Sequence, residues 1–217
     1  MMYTLNQMLL ALFCLFFINI SFTQNEKDQE NKPIIVIDPG HGGKDPGAMT
    51  LKGIKEKDIV LAIASKMVVL NDTLFDNPLR LFLTRYTDTL IALRDRTLLA
   101  KTLKADIFIS IHCNQAINTT AAGTDVFIYP KSEAQASAST YLGFTIQKGL
   151  VDILGIKKRE LKYGNFQVLR ESDSKAAILL ELGFLTQSDE AIYLSNEESQ
   201  SAIALVILQS IIKFLGL

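Results

Sequence analysis

The sequence lacks a large net charge, because 22 Lys and Arg residues against 23 Asp and Glu residues leave a formal net charge of −1. Domains that bind nucleic acid are usually strongly basic, so the composition gives no support for a nucleic-acid partner. The most basic short stretch is Lys157-Lys158-Arg159. We expect this stretch to be a solvated surface loop rather than a binding patch.

Cysteine is nearly absent. Cys14 lies in an apolar N-terminal segment, and Cys113 is the only other cysteine in the chain. If the N-terminal segment is removed, no internal disulfide can form. A chain of 217 residues is long enough to be stabilised by one well-buried core, so it does not need such a crosslink.

A basic residue before the N-terminal apolar run is also missing. This run covers residues 8–20 (MLLALFCLFFINI) and is short for a membrane span. Small residues and then the polar stretch 24–32 follow it. This layout predicts a signal peptide over residues 1–23, cleaved between Thr23 and Gln24, and therefore export to the periplasm or the exterior. An uncleaved N-terminal anchor is the alternative.

No long linker, internal repeat or low-complexity stretch follows Pro33. After a short polar tether at residues 24–32, we therefore predict one domain over residues 33–217. Its apolar, β-branched runs predict strands near residues 34–37, 79–84, 106–111, 123–129 and 176–180. Segments with helical spacing predict helices at residues 56–74, 92–103, 134–154 and 201–217.

The alternation of strands and helices predicts an α/β fold, with a single mixed, mostly parallel sheet and helices on both faces. The last predicted helix is apolar on most sides and could be mistaken for a membrane anchor. Its polar residues Gln209, Ser210 and Lys213 favour a helix packed in the core.

Histidine is scarce, and both histidines are placed where sites form. His41 lies in the string DPGHGG just after the first predicted strand, and His112 comes at the end of DIFISI. In open α/β sheets, binding sites form outside the carboxyl ends of strands. Two histidines on separate strands can therefore converge on one point.

Two glutamates complete this arrangement. Glu181 follows the apolar run 176–180, where a carboxylate is costly to bury without a partner, and Glu56 begins the first predicted helix. Two His and one Glu can bind a tetrahedral zinc with an open position for water, and a second carboxylate can act as general base. Spacing alone leaves open which glutamate binds the metal.

Each residue also has a plain structural interpretation. A histidine after a strand is often only hydrogen-bonded, Glu56 could complement the helix dipole, and Glu181 could pair with Arg170. The glycine-rich loop around His41 could cradle a phosphate, although it lacks the P-loop ending and the GxGxxG spacing. The joint placement of all four residues at one sheet edge favours chemistry.

The string IVIDPGHGGKDPGA, residues 35–48, closely resembles the opening motif of the zinc-dependent N-acetylmuramoyl-L-alanine amidases of cell-wall turnover and division. The resemblance continues in the family's order through EKD at 56–58, LTR at 83–85, LRDR at 93–96, ADIFISIHCN at 105–114, NFQVLR at 165–170 and LLELGFLT at 179–186. It implies that His41, Glu56 and His112 bind one Zn²⁺ and that Glu181 is the catalytic glutamate.

The resemblance also implies the reaction, which is hydrolysis of the amide between N-acetylmuramic acid and the L-alanine of the peptidoglycan stem peptide. Activity should fade in mild acid as the histidines protonate. Ala176 replaces a frequent proline and Gln187-Ser188 a frequent asparagine, neither at the proposed chemistry. Asp38 and Asn114 are candidates either to support the metal site or to structure its loops.

Partners are less defined by the sequence. Some family members carry an inhibitory helical insertion after the strand that here ends near Tyr129. Pro130 leads almost at once into the next helix, so we expect activity without an activator protein, while an activator remains the alternative. We also expect the protein to be a monomer. A zinc peptidase and a non-catalytic wall-binding module are the rival functions, and the presence of all four mechanistic residues disfavours the second.

Overall fold

The computed structural model describes residues 32–75 and 78–217. The predicted signal peptide and all of the predicted tether except its last residue lie outside the described residues. Residues Ile34–Leu217 form one structural unit.

Among the described residues, one sheet of six strands organises the fold, in the order β2-β1-β3-β6-β4-β5. The strands are β1 (Ile34–Pro39), β2 (Arg80–Leu83), β3 (Ile107–Asn114), β4 (Thr124–Ile128), β5 (Lys158–Tyr163) and β6 (Ala176–Phe184). Every neighbouring pair is parallel except β4 and β6. The prediction of a mixed, mostly parallel sheet is therefore confirmed.

Helices cover both faces of this sheet. They are α1 (Glu56–Leu74), α2 (Leu93–Leu103), α3 (Glu133–Leu154), α4 (Gln167–Arg170), α5 (Ser188–Ser195) and α6 (Glu197–Leu215). Because successive strand residues point to opposite faces, Ile35 and Ile37 join an apolar cluster with α1, α3 and α6, whereas Val36 joins one with α2 and α4. The sheet is thus buried on both sides.

Helix α6 is the one described helix long and apolar enough to cross a membrane by length and composition. Its side chains at Ile203, Ile207 and Ile211 are fully buried in the larger apolar cluster. It begins at Glu197, where the Asn196 side chain accepts a hydrogen bond from the backbone N–H of Ser199. The packing agrees with the predicted core helix, which begins four residues earlier than expected.

The expected surface loop at Lys157-Lys158-Arg159 is wrong for its last two residues, which begin edge strand β5. Charged side chains hide the strand pattern in the sequence. Arg159 and Lys162 pair with the buried Asp125, while Leu161 packs on the core. The charges on β5 therefore have specific partners, and they also protect an exposed sheet edge from pairing with other chains.

Candidate metal centre and catalytic cleft

His112 and Glu181 lie side by side on neighbouring strands. They are directly paired in the parallel register of β3 and β6, so their side chains project from the same face of the sheet. Both strands continue to Asn114 and Phe184. The expectation that the two residues follow the strand ends is therefore corrected. Each of them lies inside its strand, a few residues before the strand ends.

His41 is placed by a tightly held loop after β1. Its backbone has a φ of 58°, in the left-handed region that non-glycine residues rarely occupy. Two buried arginines hold this conformation. Arg96 donates from Nη2 to the carbonyl of His41 at 2.7 Å, and Arg85 donates from Nη2 to the carbonyl of Gly40 at 2.7 Å.

Three predicted residues come together, because the rings of His41 and His112 both approach the same carboxylate oxygen of Glu56. Glu56 Oε1 lies 3.1 Å from His41 Nε2 and 2.9 Å from His112 Nδ1. The two imidazole rings stand edge to face with centroids 4.9 Å apart. One ligand atom from each of the three residues lies within 4.8 Å of the others, so this group could hold a metal ion.

Glu56 is buried, and its carboxylate is fixed on both oxygens. Oε1 also accepts from the backbone N–H of Cys113 at 2.9 Å, and Oε2 accepts from that of Ala48 at 2.7 Å. Burial by itself raises the pKa of Glu56, but the hydrogen bonds and charges of His112 and His41 outweigh it and lower the pKa to about 2. The side chain therefore faces the histidines as an anion and does more than complement the helix dipole.

The contact with Glu56 shifts the pKa of His41 in the opposite direction. Burial lowers its pKa, but the hydrogen bonds and charges of Glu56 and Asp45 outweigh burial and raise the pKa to about 9. In the metal-free protein, His41 is therefore protonated at neutral pH. A metal ion must displace that proton to bind.

Two glycines are required by close approach. A Cβ at Gly40 would lie 2.2 Å from Cε1 of His112. A Cβ at Gly47, whose φ is 65°, would lie 2.4 Å from Oε2 of Glu56. Any side chain at these two positions would displace a candidate metal ligand.

The alternative of a phosphate cradle in the glycine-rich loop is not supported, since the backbone N–H groups of the loop glycines already donate within the protein. Their acceptors are the Ile111 carbonyl for Gly40, the Asp45 carbonyl for Gly42, the Asp88 carboxylate for Gly43 and the Asp45 carboxylate for Gly47. A phosphate site needs such groups to be free to face the ligand.

Glu181 differs from Glu56 in its surroundings. Among the described residues, its buried Oε2 atom has no hydrogen-bond partner. Burial raises its pKa, the charge of His112 opposes this, and the charges of Glu56 and Asp125 raise it further, to about 7. A carboxyl group with a pKa near neutrality can both accept and return a proton.

A cleft of about 960 Å³ opens onto these residues. Residues 90–93 line one part of it and residues 166–168 another. Arg170 donates to the side chain of Asn165 at 2.6 Å, and Glu181 Oε2 has no partner among the described residues, so the alternative of an Arg170 pair with Glu181 is not supported. The cleft is at the upper end of the size range of sites for small ligands.

Asp38 has a clear structural role. Its buried carboxylate accepts from Arg96 Nη1 at 2.7 Å, Thr84 Oγ1 at 2.6 Å and Ser110 Oγ at 2.7 Å. These bonds join β1, β3 and the loop after β2. Of the two roles considered for Asp38, the structure supports the one of holding the His41 loop.

Asn114 also structures backbone near the site. Its side-chain oxygen accepts from the backbone N–H of Gln115 at 2.8 Å, and its carbonyl accepts from Leu185 at 2.9 Å. These contacts hold the segments that leave β3 and β6.

No role was predicted from the sequence for Asp45, Lys57, Arg85 or Arg96. Lys57 donates to the carbonyl of Gly43 at 2.8 Å, and Asp45 lies 2.8 Å from His41 Nδ1. One signal was available, because a carboxylate that ends a buried strand requires a cation or several donors. That signal predicts a buried partner for Asp38 without saying which arginine supplies it.

Comparison with known proteins identifies relatives over most of the described residues. The Amidase_3 family model, described as N-acetylmuramoyl-L-alanine amidase, matches residues 35–213. The chain is 34% identical over 177 residues to the uncharacterized protein YqiI of Bacillus subtilis, covering 82% of each chain. It is 36% identical over 170 residues to the sporulation-specific N-acetylmuramoyl-L-alanine amidase of that organism, covering 78% of this chain and 63% of the relative.

Solved structures that are similar to this chain are also N-acetylmuramoyl-L-alanine amidases. An N-acetylmuramoyl-L-alanine amidase from Clostridium difficile 630 superposes with a TM-score of 0.79 at 35% identity, covering 86% of this chain and 98% of that one. The catalytic domain of CwlV, an amidase from Bacillus (Paenibacillus) polymyxa var. colistinus, gives 0.75 at 33% identity, covering 85% and 98%.

Proposed function

The chain belongs to the N-acetylmuramoyl-L-alanine amidase family, and from this premise we propose that it is a zinc-dependent hydrolase of peptidoglycan. The bond cut is the amide between the lactyl group of N-acetylmuramic acid and the L-alanine of the stem peptide. The observation that carries the proposal is the convergence of His41, Glu56 and His112 near Glu181, whose buried Oε2 atom has no hydrogen-bond partner among the described residues.

The donor set fits zinc. His41 Nε2, Glu56 Oε1 and His112 Nδ1 would hold the ion, and three protein ligands of the nitrogen and oxygen type are typical of catalytic zinc sites. When bound, zinc would supply Lewis-acid polarisation of a carbonyl and a lower pKa for a nearby water. The buried amide hydrogen bonds from Ala48 and Cys113 keep the Glu56 carboxylate in place for this role.

Glu181 is the proposed proton carrier. As a carboxylate it accepts a proton from the attacking water, whose oxygen forms the new bond to the carbonyl carbon of the lactyl group. When the carbon–nitrogen bond breaks, Glu181 returns that proton to the departing nitrogen. The products are a lactyl carboxylic acid and a free L-alanine amine, so atoms and charge balance. Its pKa of about 7 suits both transfers near neutral pH.

We propose that the enzyme is exported and that a leader of residues 1–23 and a tether of residues 24–32 precede the catalytic domain. Peptidoglycan lies outside the cytoplasmic membrane, and the layout of the N-terminal sequence supports this placement.

We also propose that the monomer acts without an activator. One structural neighbour, the CwlD amidase of Clostridioides difficile, was solved in complex with the GerS lipoprotein. Here only residues 129–132 separate β4 from α3, and this leaves no inserted helix at that position to displace.

The test incubates purified protein with isolated peptidoglycan and identifies the new ends by mass spectrometry. We expect stem peptides that begin with L-alanine, with release stopped by a zinc chelator and restored by added zinc. Cleavage between two amino acids would replace the amidase with a peptidase. Intact wall together with bound zinc would contradict activity without an activator, and intact wall without zinc binding would favour a binding module.

A further inference from the structure

Asp45 holds the imidazole of His41 from outside the group of candidate metal ligands. Its Oδ2 atom lies 2.8 Å from His41 Nδ1. Its other oxygen accepts from the backbone N–H of Gly47 at 3.1 Å, and its own backbone pairs with Gly42 through two hydrogen bonds. These bonds fix the position of the Asp45 carboxylate independently of its contact with His41.

This contact determines which ring nitrogen faces the metal position. A carboxylate beside Nδ1 keeps a proton on that nitrogen, so the nitrogen that gives up its proton and binds a metal is Nε2. The Nε2 atom points at Glu56 Oε1, 3.1 Å away. His112 is oriented differently, since it presents Nδ1 to the same oxygen and its ring packs against the backbone of Gly40.

Loop stability alone does not account for this contact. The side chain of Asp45 is 49% exposed, and ion pairs that are this exposed contribute little to folding. The loop is also held independently by Arg85 and Arg96, which bind its carbonyls, and by Asp88, which accepts from the backbone N–H of Gly43 at 2.7 Å. The distinctive feature of Asp45 is its contact with the ring of His41.

We infer that Asp45 is a positioning residue for the metal, because it orients the imidazole of His41 and strengthens Nε2 as a donor. The inference rests on the proposed zinc site. Carboxylates that accept from the second nitrogen of a ligating histidine fix the ring orientation and raise its basicity. Loss of such a partner typically weakens metal binding by about 10- to 100-fold.

The experiment compares zinc dissociation constants in the full chain, measured by competition with a chromophoric chelator. Asp45→Asn keeps the shape of the side chain and removes its charge, whereas Asp45→Ala removes both. Asp88→Asn is the matched control, because it alters an aspartate that holds the same loop and contacts neither histidine. Melting temperatures of the metal-free proteins check that each variant is folded.

We expect binding to weaken about 10-fold in Asp45→Asn and about 100-fold in Asp45→Ala, with little change in Asp88→Asn. The visible spectrum of bound Co²⁺ should change in Asp45→Ala, because the ring is no longer held at one angle. Equal losses in Asp45→Asn and Asp88→Asn would overturn the inference in favour of a loop role, and unchanged constants in both Asp45 variants would overturn it alone. Absence of zinc binding by the wild type would overturn the proposed function and this inference together.

Discussion

Two carboxyl groups on the same face of the sheet, the buried Asp38 and the partly buried Glu181, have opposite surroundings. Asp38 on β1 accepts hydrogen bonds from an arginine and two hydroxyl groups. Glu181 on β6 has a buried oxygen with no partner among the described residues. The strand between them, β3, carries His112. A fully satisfied buried charge holds structure, whereas an unsatisfied one is available for chemistry.

The difference extends to what each group can do in a reaction. The carboxylate of Asp38 accepts from Arg96, Thr84 and Ser110, and these bonds hold it in a structural role. Glu181 has a pKa raised to about 7 and faces the cleft.

The largest expected effect is on catalysis. Glu181→Gln should lower the rate of stem-peptide release by about 10²- to 10⁴-fold, because the amide cannot carry a proton. The folding stability of the variant should not fall, since the substitution removes a carboxyl group whose buried Oε2 atom makes it costly to ionise. Release rates are measured on peptidoglycan and zinc content by metal analysis. An unchanged rate with unchanged zinc would contradict the role of Glu181.

Breaking the Asp38 pair should act mainly on folding. Arg96→Met leaves the Asp38 charge buried without its cation, and we expect a loss of about 3–5 kcal/mol in the free energy of unfolding. Urea denaturation of the metal-free protein measures this loss. Arg170→Met is the matched control, because Arg170 is exposed and, among the described residues, its side chain bonds only to Asn165, and it should cost less than about 1 kcal/mol. Similar losses in both variants would count against a special role for the buried pair.

The pH dependence of stability provides a smaller test in the metal-free protein. The raised pKa of His41 gives stability that is complete below pH 6.5 and is lost as the pH rises through about 9. The raised pKa of Glu181 disfavours the folded state as the pH rises from 4.5 to about 7. The melting temperature should therefore fall between pH 5 and pH 9, by about 2–4 °C for each kcal/mol lost.

Glu181→Gln sharpens this pH comparison. The variant should lose the part of the decline that occurs between pH 4.5 and 7 and keep the part above it, which belongs to His41. A wild-type melting temperature that rises over this range would contradict both assignments.

The smallest effect is expected for an ion pair on the surface. Lys148 and Asp152 are paired one helical turn apart on α3, and both are about half exposed. Lys148→Met should change the free energy of unfolding by about 0.5 kcal/mol or less. A loss as large as that of Arg96→Met would remove the basis for contrasting buried and exposed pairs.

Much of the fold follows from the sequence because its core segments have strong patterns. Helix α1 has the predicted bounds, and the buried runs on β1, β3 and β6 were identified by their apolar, β-branched residues. Strand β5 was missed because its pattern depends on charged residues whose partner, Asp125, lies on another strand. Charge pairing between strands leaves no local periodicity in the sequence.

The candidate site likewise has some features that the sequence predicted and others that it did not. The sequence pattern predicted that His41, His112, Glu56 and Glu181 would meet at one sheet edge, and the family resemblance grouped Glu56 with the two histidines, as the structure places them. The bond from Arg96 to Asp38 joins residues 58 positions apart, and its geometry depends on the folded sheet. The Asp45 contact with His41 spans only four residues, but the loop conformation that brings the two together follows from a positive φ that composition does not reveal.

The most direct measurement is a crystal structure of the zinc-loaded protein with anomalous scattering data collected at the zinc edge. The account predicts one strong peak within bonding distance of His41 Nε2, Glu56 Oε1 and His112 Nδ1, with Glu181 facing the open side of the ion. A peak at another group of residues, or zinc held by Glu181 in place of Glu56, would contradict it.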